Sequence, residues 1–419
     1  MNYPDSVQFL YALGNEIKTA KLGLERVTRL LSALGDPHRA GRFVHVAGTN
    51  GKGSTCAMIE AGLRASGMRT GLFTSPHLHE PTERIRLNGQ PVSREQFTQV
   101  FERAHGAAEE LLEAGAMDLH PTYFETVTAM AFLVFAEENA DCSVLEVGLG
   151  GRLDATNVVQ PELCVITPID FDHEVFLGKS LPAIAAEKAG ILKGGVPAVI
   201  APQRPEAAET LIARVRELGV ETICPPEAQD LEVRAHGSAF TVGGMRIECR
   251  LAGHHQVGNA LTAIAALQRL GIPAPSIQSG VAAARWPGRL ETVSSEPEVL
   301  LDGAHNPAGA RALAAHLERF YTDRPVTLIY GAMRDKAVAE MAGILFPAAT
   351  RVIVTAPKQA RAVQPATVRD AVDHPNVQIA PDITTALDLA RAQAGAGPIV
   401  VTGSLFLVAE ARELMLLST

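Results

Sequence analysis

Hydrophobic residues along the chain recur with two spacings, one typical of helices and one typical of short buried strands. In the first half, apolar runs of strand length alternate with longer stretches whose apolar residues fall three or four positions apart. The predicted strands are 43–47, 69–74, 142–147, 163–169 and 196–201. The predicted helices are 5–35 (with Leu22 in its apolar stripe), 55–65, 93–116, 121–136, 180–189 and one that ends near 270. This alternation indicates an α/β fold with a mostly parallel sheet.

After residue 298 a shorter pattern of strand, loop and helix repeats. Its predicted strands are 299–301, 326–330, 351–355, 377–379 and 399–402. Such a repeat is typical of a smaller parallel sheet covered by helices on both faces. Residues 205–250 are mixed, with a hairpin predicted around Gly243 and Gly244.

The segment 285–289 contains the single tryptophan and a Pro-Gly pair, and it interrupts the helical pattern. We therefore predict a hinge there, with domains at 1–290 and 291–419. The expected fold is an N-terminal P-loop ATPase-type domain with a mostly parallel sheet, followed by a smaller C-terminal Rossmann-like α/β domain.

Composition narrows the classes of protein to be considered. Hydrophobic residues make up 47% of the chain and the net charge is −9, without a long lysine or arginine block. This composition favours packed α/β cores and argues against a nucleic-acid surface. The longest apolar run, 126–136, is well short of the roughly 20 residues that span a bilayer. Five scattered cysteines indicate reduced thiols, and we expect a cytoplasmic protein without a membrane partner.

The clearest chemical motif is Gly-Thr-Asn-Gly-Lys-Gly-Ser at 48–54, between a predicted strand and a predicted helix. In this context backbone N–H groups, the positive helix end and a lysine surround a phosphate group. Gly53 occupies the position where the usual pattern has a Mg²⁺-binding hydroxyl, and Ser54 follows one residue late. The motif predicts a nucleoside triphosphate site, rather than an ordinary glycine-rich turn, with some Mg²⁺ ligands supplied from elsewhere.

Three other predicted strands and one helix end in polar residues that are candidates for the same site. Ser75 could supply the missing hydroxyl, although Ser-Pro also begins ordinary turns. Glu146 lies in an apolar run, where a carboxylate is costly unless it is paired or metal-bound, and this favours a Mg²⁺ ligand. His173 could be a ligand or a core histidine, and Lys188 could simply interact with the helix dipole.

Nine motifs in this order resemble those of the folylpolyglutamate synthases and the bifunctional bacterial dihydrofolate synthases, relatives of the Mur ligases. They lie at 48–54, 75–77, 146–157, 172–178, 187–193, 255–259, 287–289, 302–307 and 402–404. The resemblance implies a ligase that uses ATP and two Mg²⁺ ions. In such a reaction the carboxylate of a pterin-bearing substrate attacks the γ-phosphate, and the amine of L-glutamate then displaces phosphate.

The resemblance also implies roles for individual residues. The implied catalytic residues are Lys52, Lys188, His173 and Arg289, with Lys188 carbamylated. The implied nucleotide contacts are Asn50, Gly51, Lys52, Gly53, Ser54, Asn259, Arg289 and Asp302. One Mg²⁺ is assigned to Ser75 and Glu146, and a second to Glu146 and His173. The implied contacts to the pterin substrate are Thr122, Tyr123, Phe124, Glu125, Leu153, Asp154 and Ala155. His305 and Ser404 are implied for glutamate.

Several alternatives remain open at this level. A bifunctional enzyme would use dihydropteroate and reduced folates, whereas a dedicated folylpolyglutamate synthase would use only the latter. A cell-wall Mur ligase is expected to carry a UDP-sugar domain, for which the 42 residues before Phe43 are too few. A P-loop regulatory switch or transport ATPase would not need a second α/β domain. We expect a monomer that has small-molecule substrates and does not bind nucleic acid.

Overall fold

The structure is a computed structural model that describes residues 1–14, 23–393 and 395–417. It divides into two compact units. The first comprises 1–169, 180–227 and 259–283, and the second comprises 170–179, 228–258 and 284–419. The segments 170–179 and 228–258 thus group with the C-terminal residues. The predicted division, by contrast, has a single boundary after residue 290. The predicted domain assignment, 1–290 and 291–419, stays a prediction.

The first unit is built on an eight-stranded sheet in the order β4-β3-β2-β5-β1-β6-β7-β8. Its strands are β1 (Phe43–Ala47), β2 (Thr70–Phe73), β3 (Ile85–Leu87), β4 (Gln90–Pro91), β5 (Cys142–Glu146), β6 (Leu163–Ile166), β7 (Ala198–Ile200) and β8 (Thr222–Ile223). In this order, the six strands β2-β5-β1-β6-β7-β8 pair in parallel. At one edge of the sheet, β3 pairs antiparallel with β2, and β4 pairs antiparallel with β3. The five residues of β1 are all buried, as expected of a central strand covered on both faces.

Helices surround this sheet. Those of the first unit are α1 (Tyr3–Ala12), α2 (Glu25–Ala33), α3 (Lys52–Ala65), α4 (Arg94–Glu113), α5 (Tyr123–Glu137), α7 (Leu181–Ala189), α8 (Pro205–Leu218) and α10 (Ala274–Ala283). A further helix, α9 (His254–Arg269), begins in the second unit and ends in the first. The predicted helix 5–35 corresponds to α1 and α2, and its residue Leu22 lies outside the described residues.

Two packing features determine how these helices cover the sheet. One apolar cluster joins α1, α2, α4 and α5 around residues such as Phe97, Phe101 and Phe132. On another side, α3 and α10 approach so closely that a Cβ on Gly280 would lie 2.5 Å from the Cα of Gly62. Any larger residue at Gly280 would therefore push α10 away from the helix that follows the phosphate loop.

The second unit has two sheets. The strands of a three-stranded antiparallel sheet are β9 (Gln229–Arg234), β10 (Gly237–Val242) and β11 (Met245–Cys249), in the order β11-β10-β9. The strands of a six-stranded sheet, in the order β12-β13-β17-β14-β15-β16, are β12 (Glu291–Ser295), β13 (Glu298–Leu301), β14 (Thr327–Tyr330), β15 (Arg351–Val354), β16 (Val377–Ile379) and β17 (Ile399–Thr402). Only β12 is antiparallel in this sheet.

Helices cover the six-stranded sheet, and successive apolar residues of its strands alternate between two clusters, as expected for side chains on opposite faces of a sheet. The helices of the second unit are α6 (Glu174–Leu177), α11 (Pro307–Phe320), α12 (Val338–Leu345), α13 (Pro365–Asp370), α14 (Ile383–Gln393) and α15 (Leu405–Leu417). The predicted α/β fold, with a mostly parallel sheet and a second, smaller sheet, is confirmed. Strands β9 and β12 were not predicted, because exposed or charged residues interrupt the apolar pattern in both.

Candidate active site

The phosphate-loop motif adopts the strand–loop–helix arrangement predicted for it. β1 ends at Ala47, Gly51 is the residue before the helix with a φ of +83°, and α3 begins at Lys52. The backbone N–H groups of Thr49 and Asn50 both donate to the carbonyl oxygen of Pro168, at 3.0 and 3.1 Å. The loop is thereby attached to the chain that follows β6.

Two glycines of the loop have no room for a side chain. A Cβ on Gly48 would lie 1.9 Å from Thr167 Oγ1, and one on Gly51 would lie 2.2 Å from Asn259 Oδ1. Both glycines also have φ angles in the region that other residues rarely adopt. The structure therefore brings Asn259, one of the predicted nucleotide contacts, directly against the loop.

Two lysines hydrogen-bond to the loop backbone. Lys52 Nζ donates to the carbonyl oxygen of Thr49 at 3.2 Å, and Lys188 Nζ donates to that of Gly48 at 2.8 Å. Lys188 lies in the last turn of α7 and is only 5% exposed, so its polar head is held at the loop and not in solvent. This placement goes beyond an interaction with the helix dipole alone. Gly53 and Ser54 lie in the first turn of α3, where Ser54 is buried.

Ser75 and Glu146 meet at the ends of adjacent strands. β2 and β5 pair in parallel, so the residues after them lie at the same edge of the sheet. The backbone N–H of Ser75 donates to Glu146 Oε2 at 3.1 Å, and Glu146 is buried. Because Glu146 also pairs with Val46 in β1, this carboxylate lies beside the strand that enters the phosphate loop.

The predicted substrate segment 122–125 begins α5. The Thr122 side chain and the Glu125 side chain each accept a hydrogen bond from the other residue's backbone N–H, which caps the helix. Glu125 also forms an ion pair with Arg26, with the nitrogen and oxygen 3.1 Å apart. Thr122 and Glu125 thus have structural partners, whatever else they contact.

The two aromatic residues of that segment pack against other parts of the first unit. The Tyr123 ring stacks on Tyr11 with centroids 5.7 Å apart, and the Arg84 guanidinium lies 5.1 Å from its centroid. Burial raises the pKa of Tyr123 to about 12, so its hydroxyl stays protonated at neutral pH. Phe124 leaves no room for a side chain on Gly148, where a Cβ would lie 2.5 Å from the ring.

Asp154 organises the glycine-rich loop after β5. Its Oδ2 accepts from the N–H groups of Gly148 and Leu149, both at 2.9 Å, and its Oδ1 accepts from the N–H of Thr156 at 3.0 Å. The Thr156 hydroxyl donates to the same Oδ1 at 2.5 Å. Burial raises the pKa of Asp154, and these hydrogen bonds offset that effect in part. Its neighbours Leu153 and Ala155 are half-buried and buried respectively.

A buried histidine completes this network, and it was not recognised in the sequence. His45 Nε2 lies 2.8 Å from Thr156 Oγ1. Because the threonine has one hydroxyl proton and donates it to Asp154, the histidine must be the donor, with its proton on Nε2. Burial lowers the pKa of His45 to about 3, so the ring is neutral. The one sequence signal was a histidine in the middle of the otherwise apolar strand β1.

In the second unit, Asp302 follows β13 and is buried. Its Oδ2 accepts from the N–H of Leu290 at 2.9 Å, and its Oδ1 accepts from that of Ala304 at 3.0 Å. Burial raises the pKa of Asp302, while the Arg289 charge opposes this shift. Arg289 Nη1 donates to the carbonyl oxygen of Gly288 at 3.0 Å. Arg289 and Asp302, both predicted nucleotide contacts, are therefore neighbours.

A cluster of polar residues surrounds Asp172, also in the second unit. Lys336 Nζ donates to Asp172 Oδ1 at 2.6 Å, Asn306 Nδ2 donates to Oδ2 at 3.3 Å, and His305 Nε2 lies 3.5 Å from Oδ2. Burial alone would raise the pKa of Asp172, but His305 and the Lys336 charge hold it well below its usual range. His173, predicted as a metal ligand, has its Nε2 3.9 Å from Asp172 Oδ1.

Lys336 and the role of Asp172 were missed in the sequence. Lys336 lies in the polar loop after the parallel strand β14, and the rule that selected the loops after β13 and β17 would have found it. Ser404, predicted for glutamate, is buried after β17, and its Oγ accepts from the N–H of Phe406 at 3.2 Å. It therefore lies at the start of α15.

Comparison with known families agrees with this arrangement. The model of the Mur ligase middle domain matches residues 46–267, and the model of the Mur ligase glutamate ligase domain matches residues 288–405. The dihydrofolate synthase/folylpolyglutamate synthase of Bacillus subtilis is 36% identical over 94% of this chain and 95% of its own length. The chain belongs to the folylpolyglutamate synthase branch of the Mur ligase family. The resemblance seen in the sequence is thus confirmed.

Two further comparisons define the extent of the likeness to this branch. A probable bifunctional folylpolyglutamate synthase/dihydropteroate synthase of Haloferax volcanii is 37% identical over 98% of the chain, but the chain spans only 50% of that relative's length. The solved structure of Escherichia coli FolC in complex with DHPP and ADP has a TM-score of 0.89 and 31% identity. This match covers 100% of this chain and 98% of the FolC chain.

Proposed function

We propose that this member of the folylpolyglutamate synthase branch is an ATP-dependent ligase that adds L-glutamate to dihydropteroate and to reduced folates. The observation that carries the proposal is the likeness, over essentially the whole chain, to a solved FolC that holds both DHPP and ADP. The name of the Bacillus subtilis relative, which combines both activities, supports the bifunctional form over a dedicated folylpolyglutamate synthase.

The phosphate loop is the part of the first unit best suited to ATP. Its glycines bring the backbone close to a ligand, and the 14-residue helix α3 begins directly after it. Lys52 and Lys188 both lie at the loop. Lys52 can supply positive charge to the phosphates of ATP, and Lys188 can do so only when it is not carbamylated. Phosphoryl transfer depends mainly on such positioning and on neutralisation of charge.

The residues at the adjacent edge of the sheet fit a Mg²⁺ ion. Glu146 is a buried carboxylate at a strand end, and Ser75, whose backbone contacts it, carries a hydroxyl. Oxygen ligands of these types are the ones that Mg²⁺ prefers. When bound, the ion would neutralise charge on the phosphates of ATP. The role of His173 in the second unit, and a carbamyl group on Lys188, rest on the resemblance alone.

In the proposed reaction an oxygen of the substrate carboxylate forms a bond to the γ-phosphorus as the bond to ADP breaks. The glutamate amine then attacks the acyl carbon, an amide forms, and inorganic phosphate and a proton leave. Arg289 and Asp302 are proposed for ATP, and His305 and Ser404 for glutamate. The contacts of His305 with Asp172 and Gly303 support a defined ring orientation at such a site.

For the pterin substrate we propose residues 122–125 and 153–155. The support is that Phe124 packs directly against Gly148, the residue whose N–H is held by Asp154. The two predicted segments are therefore adjacent in the first unit.

Within 1–14, 23–393 and 395–417, no helix is long and apolar enough to cross a membrane. We propose a cytoplasmic monomer.

The test is ADP formation with ATP, Mg²⁺ and L-glutamate, with either dihydropteroate or a reduced folate monoglutamate as acceptor. Turnover with both acceptors is expected. Turnover with the reduced folate alone would identify a dedicated folylpolyglutamate synthase. ADP release that is indifferent to glutamate would contradict the ligase and favour a P-loop switch or transport ATPase.

A pair of lysine variants ties this activity to the loop. Lys52→Met should lower kcat by roughly 10²–10³-fold, the cost of one group that stabilises developing charge. Lys179→Met, which changes an exposed lysine, is the matched control and should leave kcat unchanged. Equal rates for the two variants would remove Lys52 from the proposed machinery.

A further inference from the structure

Three possible metal ligands converge in the first unit, away from the phosphate loop. They are His105 and Glu109 on α4 and His120 in the segment before α5. His105 and Glu109 are four residues apart, so they lie on the same face of the helix. His120 comes from elsewhere in the chain and reaches the same point. The proposed reaction uses none of the three.

The ligand atoms form a nearly equilateral triangle. His105 Nδ1 lies 3.4 Å from His120 Nε2, and each of these nitrogens lies 3.8 Å from Glu109 Oε1. The point in their plane that is equidistant from the three atoms is about 2.1 Å from each, close to the roughly 2.0–2.2 Å that Zn²⁺ keeps to imidazole nitrogen and carboxylate oxygen. A tetrahedral ion lies out of this plane, so binding would draw the half-exposed Glu109 carboxylate a few tenths of an ångström closer to the histidines. The triangle therefore has the size that one ion would need.

One hydrogen bond prepares His120 as a ligand. His120 Nδ1 lies 2.8 Å from the carbonyl oxygen of Pro121, which can only accept, so Nδ1 carries the proton. The lone pair of the neutral ring is then on Nε2, the atom that faces the other two residues. This use of one ring nitrogen to orient the other is the usual arrangement around metal-bound histidines.

The aromatic residues around the cluster restrict the movement of its two imidazole rings. The His105 ring stacks on Phe101 with an interplanar angle of 7°, and Phe9 lies against both histidines with centroids 4.4 and 5.6 Å away. The two histidine side chains are 19% and 15% exposed, whereas Glu109 is 49% exposed. An ion could therefore enter from the Glu109 side while the aromatic residues hold the imidazoles in place.

We propose that His105, Glu109 and His120 form a binding site for a divalent transition-metal ion such as Zn²⁺, with water as a fourth ligand. Two imidazoles and one carboxylate suit zinc and its neighbours better than Mg²⁺ or Ca²⁺. The ion would connect α4 to the segment that leads into Thr122 and Tyr123. It would thereby stabilise the segment proposed to contact the pterin substrate.

The first test uses the full-length protein, treated with a chelator that is then removed, and titrates it with Co²⁺ in excess Mg²⁺. Co²⁺ in a tetrahedral site absorbs visible light more strongly than octahedral Co²⁺, and the excess Mg²⁺ occupies the nucleotide-site ligands. We expect one equivalent of Co²⁺ with tetrahedral absorption, displaced by Zn²⁺. A wild-type protein that binds no Co²⁺ under these conditions would overturn the proposal.

Variants then assign the binding to these residues. Glu109→Gln and His120→Gln should each lose the tetrahedral absorption, and His254→Gln, which changes an exposed histidine outside the cluster, should retain it. Because Glu109 is half exposed, its substitution keeps the fold even if His120→Gln does not. Retention of the full signal in Glu109→Gln would contradict the proposed ligand set.

A second measurement, urea unfolding, does not depend on the visible absorption of Co²⁺. An ion that binds only the folded protein lowers the unfolding equilibrium constant by about 100-fold when its free concentration is 100 times its dissociation constant. Zn²⁺ should therefore shift the urea midpoint of the wild-type protein and of His254→Gln, but not that of Glu109→Gln. An equal shift in all three would show that the ion binds elsewhere.

Discussion

The loop at 148–157 in the first unit and the segment at 170–179 in the second each contain an aspartate whose side chain is at most about 9% exposed, and the two carboxylates have different partners. Asp154 accepts hydrogen bonds only from neutral groups, three backbone N–H groups and the Thr156 hydroxyl. Asp172 is held by a cation, Lys336, and by His305 and Asn306. Burial raises the pKa of the first, while the charges around the second lower its pKa.

The difference shows that burial alone does not determine the state of a carboxylate. Desolvation penalises the ionised form at both positions. The neutral donors around Asp154 offset this effect only in part, whereas His305 and the Lys336 charge reverse it at Asp172. Asp154 is thus a structural centre that shapes a loop. Asp172 is part of a charged cluster whose members depend on one another.

The largest effect is expected where the charged cluster is broken. Asp172→Asn leaves the Lys336 ammonium, which is 11% exposed, without its anionic partner. We expect a loss of about 3–5 kcal/mol in the free energy of unfolding, measured by urea denaturation. The matched control is Asp170→Asn two residues away, where the partner Arg311 is half exposed and the loss should stay below about 1 kcal/mol. Equal losses would show that the charges around Asp172 contribute no more to the free energy of unfolding than the pair of Asp170 with Arg311.

The pH dependence of that loss gives a second way to sharpen the comparison. An aspartate in an unfolded chain titrates near pH 4 (about 3.9), and the folded pKa of Asp172 lies well below this. Its contribution is therefore complete above about pH 4 and is lost as the pH falls below it. The difference in unfolding free energy between the wild-type protein and Asp172→Asn should be constant between about pH 7 and pH 5, and it should shrink as the pH falls from about 5 to 3.

For Asp154 the sign is opposite. Its folded pKa is raised, so the folded state favours the protonated acid, and its contribution declines as the pH rises from about 4 to the folded pKa. The corresponding difference for Asp154→Asn should therefore grow on acidification. If both differences moved in the same direction with pH, the contrast between the two aspartates would be wrong.

Asp154→Asn should have a smaller effect at neutral pH than Asp172→Asn. The amide keeps the shape of the side chain, but its NH₂ group would face N–H or O–H donors and leave at least one without an acceptor. We expect a loss of about 1–3 kcal/mol in urea denaturation. Asp118→Asn, at an exposed position, is the control and should have no measurable effect. A wild-type value for Asp154→Asn would show that the loop does not depend on this carboxylate.

The smallest effect is expected for Thr156→Val, which keeps the size of the side chain but removes the hydroxyl between His45 and Asp154. His45 Nε2 then has no acceptor in a fully buried position. We expect a loss of about 1–2 kcal/mol, within the range for one unsatisfied buried donor. Thr98→Val, which changes a half-exposed threonine on α4, should change stability by no more than about 0.5 kcal/mol. The double variant with His45→Phe should recover part of the loss, because both polar partners are then removed.

Much of the fold followed from local pattern. The strand bounds 43–47, 377–379 and 399–402 were predicted correctly. The first and last are mostly apolar runs of strand length, and 377–379 alternates apolar and polar residues, as an edge strand does. Strand β12 was missed because its residues, Glu291–Ser295, are half-exposed at a sheet edge and lack an apolar pattern. The predicted Gly243–Gly244 hairpin formed between β10 and β11, since both glycines have the positive φ angles that a tight turn requires.

The candidate site likewise contains some residues that could be identified from the sequence and others that could not. Gly48, Gly51 and Lys52 could be identified from sequence because a phosphate loop is one continuous segment with its own backbone geometry. The pairing of Lys336 with Asp172 could not be predicted, because the two residues are 164 positions apart and nothing local to either indicates the other. His45 was missed because a histidine in a strand becomes informative only when the residue facing it is known.

By itself, the sequence determined the strand and helix pattern, the phosphate loop and the family, since each rests on residues that are neighbours in the chain or on motifs read in order. Only the tertiary structure decided which polar groups satisfy one another. It placed His45 with Thr156, Lys188 with Gly48, Asp172 with Lys336, and His105 with His120. The physical reason is that strand order and helix packing bring distant segments to the same place, and the pKa of a buried group depends on what meets it there.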